Sequence, residues 1–173
     1  MGDLIFITGG VRSGKSAYAV ELAMKYDKRL FLATAEAFDD EMKKRIEKHK
    51  KERGSSFETK EVPVYLADAI NGISNADVCV VDCVTVWLNN LMHYDKLNEI
   101  DNFKKAIKQP VCDLIVVSNE VGMGIMPNNE TARRYADLLG ELNKAIAESA
   151  SKVFLMISSI ALNIKGGREN GTA

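Results

Sequence analysis

The feature that most constrains this chain is the octapeptide Gly9-Gly10-Val11-Arg12-Ser13-Gly14-Lys15-Ser16. It fits G-x-x-x-x-G-K-[ST], the phosphate-binding P-loop. An apolar run at residues 4–8 precedes it, and an amphipathic stretch at 16–26 follows, with Ala19, Leu22 and Ala23 on one side. Strand, glycine turn and helix are the context that the motif requires. Gly9 and Gly14 let the backbone turn so that several N–H groups converge on one phosphate. The helix start at Lys15 adds its positive dipole end. Lys15 reaches the outer phosphates, and the Ser16 hydroxyl is a ligand for a Mg²⁺ ion that bridges phosphate oxygens.

Further apolar runs occur at 30–33, 78–82, 114–118 and 153–157. They are nearly continuous rather than alternating, as strands covered on both faces are. Residues 57–62 predict one more strand. Helical patterns fall at 39–53, 66–73, 86–92 and 131–150. The last carries Tyr135, Leu138, Leu139, Leu142 and Ile146 at helical spacing and starts from Pro127, Asn128 and Asn129. Strands alternating with helices predict an α/β fold with a mostly parallel sheet. The polar stretch 94–110 reads as a loop or a short surface helix, and the tail from Lys165 as frayed. A length of 173 residues predicts one domain, residues 1–173.

The 23 Lys and Arg nearly cancel the 24 Asp and Glu, which argues against a general nucleic-acid binder. The start lacks the basic n-region of a secretory signal, and no stretch approaches the roughly 20 apolar residues of a membrane span. Cys79, Cys83 and Cys112 contain no Cys-x-x-Cys pair, so reduced thiols and a cytoplasmic location are expected.

A P-loop protein needs a second acidic group for its Mg²⁺ shell. Val78-Cys79-Val80-Val81-Asp82 has the form, four apolar residues and then a carboxylate, and Asp82 is the candidate. An ordinary strand-end aspartate is the alternative. Asn143-Lys144 is followed by Ala145-Ile146, so the Asn-Lys-x-Asp guanine signature of signalling GTPases is missing there. The chain is short for a helicase or large motor. Three readings remain: a transferase, a plain kinase with no covalent step, and a non-catalytic nucleotide-binding module.

Residues 43–53 hold seven basic and two acidic residues, a net charge of +5. Such a run is ordinarily a solvated helix face. Within it, Met42, Ile46 and His49 are spaced i, i+4, i+7 and share one face, which points inward. Surrounding cations favour the neutral, nucleophilic imidazole of His49. His93, in a polar context, is assigned no role.

Together these segments resemble the bifunctional adenosylcobinamide kinase/adenosylcobinamide-phosphate guanylyltransferase family of cobalamin biosynthesis. The match runs through Thr8 to Ser16, Ala33-Thr34-Ala35, Asp39-Asp40-Glu41-Met42 with Arg45-Ile46 and His49, and Ser118-Asn119-Glu120-Val121-Gly122-Met123-Gly124-Ile125-Met126-Pro127. It covers residues 4 to about 165.

The resemblance implies a P-loop NTPase, RecA-like three-layer fold with one antiparallel strand, and a homotrimer. It implies that His49 accepts GMP covalently and that Gly9, Gly10, Val11, Arg12, Ser13, Gly14, Lys15 and Ser16 bind phosphate. Thr34, Ala35 and Glu36 would line the nucleotide site. Lys50, Lys51, Glu52 and Arg53 would contact GTP, and Glu61 and Asp82 would be acidic positions near it. Its substrates are adenosylcobinamide and its phosphate, with ATP or GTP and Mg²⁺. Lys48 stands where some members have a second histidine, and Asp82 where some have glutamate.

Overall fold

The computed structural model describes residues 2–37, 43–44, 47, 50 and 56–166. The strands are β1 (Leu4–Gly9), β2 (Arg29–Ala33), β3 (Glu58–Glu61), β4 (Val78–Asp82), β5 (Asp113–Val117), β6 (Lys152–Ile157) and β7 (Ile160–Lys165). The described helices are α1 (Lys15–Ala23), α2 (Leu66–Asn71), α3 (Val84–His93), α4 (Glu99–Ala106) and α5 (Glu130–Ser149). One seven-stranded sheet runs β3-β2-β4-β5-β1-β6-β7. Every neighbouring pair is parallel except β6–β7. This is the mostly parallel α/β sheet that the apolar runs predict, with one antiparallel strand, β7, at its edge.

Period-2 geometry explains the apolar runs. Leu4, Phe6, Leu30, Leu32, Cys79, Val81, Leu114 and Val116 point to one face, packing under α2, α3, α4 and α5. Ile7, Phe31, Val78, Val80, Ile115 and Val117 point to the other, where Ala19 and Ala23 of α1 close over them. Both faces are covered, so neither needs polar residues. The thin Ala19/Ala23 contact lets α1 lie close to the sheet and holds the loop before it against β1.

Two expectations need correction. Of the two alternatives for residues 94–110, the short helix is the one present, but it is not a surface helix: α4 buries Ile100, Phe103 and Ala106, and Ile107 follows it into the core. Phe103 lies 4.9 Å, centroid to centroid, from Trp87 of α3, whose Nε1 donates to the Val64 carbonyl at 2.6 Å. The chain's end also carries more structure than the apolar runs suggested, because β7 pairs with β6 through the two-residue turn Ser158-Ser159. Its turn contains neither glycine nor asparagine, so the usual hairpin signal is missing.

Cys79 and Cys112 are buried, Cys83 is half-buried, and all three are free thiols. Burial and the nearby Asp82 push Cys83 up to about 11, so it is neutral at physiological pH. No helix among the described residues is long and apolar enough to cross a membrane.

Candidate active site

The site is built along the carboxyl edge of the sheet. Strand register aligns Ile7, Val117, Asp82, Ala33 and Glu61 in one row across β1, β5, β4, β2 and β3. The phosphate loop leaves β1 just beyond this row. Gly9 has φ 147°, and a Cβ there would collide with the Met156 carbonyl of β6. Gly14 has φ 93°, and a Cβ there would lie 2.9 Å from Ser159 Oγ. Both glycines are thus required by conformation and by close approach. The β6–β7 turn braces the loop through Ser159 N, which donates to the Ser13 carbonyl at 3.0 Å.

Lys15 opens α1 and is 7% exposed. Its ammonium donates to the Gly10 carbonyl at 2.6 Å and to Ser13 Oγ at 3.4 Å. Burial pushes this amine below its usual 10.5, opposed by the negative forms of Cys83 and Asp82. Between the lowered pKa and 10.5 the unfolded chain binds more protons, so Lys15 makes stability rise with pH across that window. A bound polyphosphate would add counter-charge to that of Asp82 and favour the charged amine.

Asp82 ends β4, with β5 between it and β1, and its carboxylate is close enough to act on Lys15. A hydroxyl at Ser16 and a carboxylate at Asp82 are hard oxygen donors, and this set suits Mg²⁺ completed by phosphate and water oxygens. Among the described residues there is no cluster of three His, Cys, Asp or Glu side chains. The donors therefore do not fit a metal held wholly by protein.

Thr34 is fully buried and faces the backbone after Asp82. Its Oγ1 donates to the Cys83 carbonyl at 2.8 Å and accepts from the Cys83 N–H at 2.9 Å. Asn90 of α3 holds the same segment from behind, donating from Nδ2 to the Thr34 carbonyl at 2.8 Å and the Pro63 carbonyl at 3.0 Å. Thr34→Val should lower stability by about 1–3 kcal/mol, because the buried Cys83 N–H loses its partner, while the Cys83 carbonyl keeps the Trp87 N–H at 3.1 Å. Urea unfolding would measure it; a midpoint equal to wild type would show that the clamp contributes nothing.

Residues 118–120 join the phosphate loop to α3. The Glu120 N–H donates to the Gly9 carbonyl at 2.9 Å. The Asn119 N–H donates to Thr85 Oγ1 at 2.6 Å, and Asn143 Nδ2 to the Asn119 carbonyl at 3.0 Å. Tyr135 OH donates to the Thr85 carbonyl at 2.9 Å. These bonds fix a short rigid bridge at the site edge. Sequence reasoning gave no role to Thr85, Asn90 and Asn143, and placed Tyr135 on the apolar stripe of its helix without a role for its hydroxyl. Single polar residues such as Thr85, Asn90 and Asn143 on amphipathic helices read as outward-facing, and only burial distinguishes them.

The structure brings Gly9 to Ser16, Thr34 and Asp82 to one place. Ala35 and Glu36 follow at the end of β2, with Glu36 accepting from Tyr94 OH at 2.9 Å. Arg12 is exposed on the loop with φ 57°. Glu61 lies elsewhere: it ends the edge strand β3, four strand spacings or about 19 Å from β1. There it pairs with Lys50. His49, Lys51, Glu52 and Arg53, with Lys48 and most of the basic segment, lie outside the described residues.

A family model described as cobinamide kinase / cobinamide phosphate guanyltransferase matches residues 5–164. The bifunctional adenosylcobalamin biosynthesis protein CobP of Pseudomonas aeruginosa is 38% identical over 172 residues, spanning 96% of this chain and 98% of its own. The similarly named CobU of Escherichia coli is 33% identical over 180 residues, spanning 94% and 99%. A solved structure from Pyrococcus horikoshii OT3 shares the fold alone. It has a TM-score of 0.54 at 7% identity and spans 97% of this chain and 88% of that one.

Proposed function

Because the chain belongs to the cobinamide kinase / cobinamide phosphate guanyltransferase family, we propose that one P-loop domain carries two successive transfers to adenosylcobinamide. The enzyme is a bifunctional kinase and nucleotidyltransferase. The observation that carries the finer reading is the pairing of a buried Lys15 ammonium with a glycine-rich loop at the sheet edge that also ends in Asp82.

In the first transfer, the hydroxyl of the acceptor's aminopropanol arm attacks the γ-phosphorus of ATP or GTP, and the nucleoside diphosphate leaves. The loop amides and Lys15 hold the charge spread over the moving phosphoryl group. Ser16 and Asp82 are the residues that would hold Mg²⁺. When bound, the ion would neutralise charge on the β- and γ-oxygens.

In the second transfer, His49 attacks the α-phosphorus of GTP and expels pyrophosphate. The acceptor's new phosphate then attacks the histidine–GMP phosphoramidate, giving adenosylcobinamide-GDP and restoring the imidazole. Splitting one hard transfer into two is the advantage of a covalent nucleophile. Lys50, Lys51 and Arg53 supply positive charge beside it, and the working assembly is a homotrimer.

The first transfer is tested by incubating the protein with adenosylcobinamide, Mg²⁺ and nucleotide labelled at the γ-phosphate. Label should move to the corrinoid. Nucleotide binding with no labelled corrinoid would favour a non-catalytic nucleotide-binding module instead.

A further inference from the structure

A groove of about 460 Å³ opens between α3 and the start of α5. That is within the roughly 300–1,000 Å³ of small-molecule sites. Its lining is mainly apolar, with Thr85, Asn89 and Met92 from α3, Asn129 and Tyr135 from the start of α5, and Glu36 from the segment after β2. None of the phosphate-loop residues lines it. It is nevertheless continuous with the loop through the bridge already described: Glu120 is bonded to Gly9, and Asn119 to Thr85. Thr85 also lies three residues after Asp82, which places the groove on the Asp82 side of the loop. That is the end where the γ-phosphate must lie if Asp82 serves the Mg²⁺ shell. The opposite side of β1 is taken by the Ser158-Ser159 turn.

A second observation points to the size of the ligand. Between Glu120 and Asn129 the chain exposes Val121, Met123, Ile125 and Met126, with Ile125 99% exposed. Arg133 braces the end of this segment, donating to the Pro127 carbonyl at 3.1 Å and the Asn128 carbonyl at 2.9 Å. Four large apolar side chains on one connection that runs from phosphate loop to groove rim are unusual in water. They suit a broad apolar ligand too large for the groove alone.

We propose that this groove and the 121–126 segment form the binding site of the corrinoid acceptor. The macrocycle packs against Met92, Met123 and Ile125, and Asn89 and the Asn129 side-chain amide pair with its peripheral amides, which both donate and accept. The hydroxyl-bearing arm then passes Asn119 toward the phosphate loop. The assignment rests on adenosylcobinamide being the acceptor.

The test is equilibrium dialysis with adenosylcobinamide, read by the corrinoid's visible absorbance, beside GTP binding to the same samples. Ala132→Trp places a large side chain in the groove and should weaken corrinoid binding roughly tenfold or more, with GTP binding unchanged. Met123→Ser with Ile125→Ser, both on exposed positions that folding does not need, should also weaken it without changing subunit number. Corrinoid binding at wild-type strength in both variants overturns the site. So does a serine variant that loses its subunit partners while binding corrinoid normally, because the segment is then a subunit contact. Wild-type protein that binds GTP but no adenosylcobinamide overturns the acceptor's identity, and the site with it.

Discussion

Lys15→Ala should lower both transfers by about 10²–10³-fold, the effect of removing one preorganised donor from a developing phosphoryl charge. The argument begins with burial. Lys15 is 7% exposed, and its ammonium has a carbonyl and a hydroxyl as bonded partners. Burial already works against the charged form. Removing it therefore leaves the fold intact, and the loss falls on catalysis. Lys15→Arg should recover little, because the larger planar head does not fit a pocket shaped for one amine against Gly10. Rate assays of both steps, with circular dichroism of the variant, check this. A folded Lys15→Ala protein with wild-type rates in either step would mean that the loop is not the shared phosphate site.

His49→Ala should separate the two reactions. Guanylyl transfer falls by about 10⁴-fold or more, as removal of a covalent nucleophile does. The kinase step keeps most of its rate, since its groups are Lys15, Ser16, Asp82 and the loop amides. The division rests on chemistry, since only guanylyl transfer uses a nucleophile on the protein. The two rates measured on one preparation decide the matter. Equal loss of both in a folded variant would contradict the division of labour.

Much of this architecture is legible in the sequence because its parts are local. The phosphate loop needs glycines at fixed positions, and Gly9 and Gly14 indeed occupy conformations and contacts that no side chain would fit. The strands are legible because both sheet faces are buried, leaving continuous apolar runs. The place of Asp82 at the end of β4 is legible because a carboxylate closing an apolar run is a local signal. What was hidden is non-local. Ile100, Phe103, Ala106 and Ile107 of α4 have helical spacing, but their polar neighbours mask it until Trp87 and Leu66 are seen beneath the same core. β7 was missed because Ser158 and Ser159 form a tight turn with positive φ at both residues, stabilised from outside by Ser13. The Thr34, Asn90, Thr85 and Asn143 bonds span 24 to 56 residues of sequence, and no spacing rule reveals them.

The most direct measurement uses purified protein with Mg²⁺ and GTP labelled at the α-phosphate, followed by digestion and mapping of any adduct. An acid-labile, base-stable GMP on His49, absent from His49→Ala, is the predicted result. Bound nucleotide without any adduct would contradict the covalent step and leave a plain kinase with His49 as an ordinary helix residue.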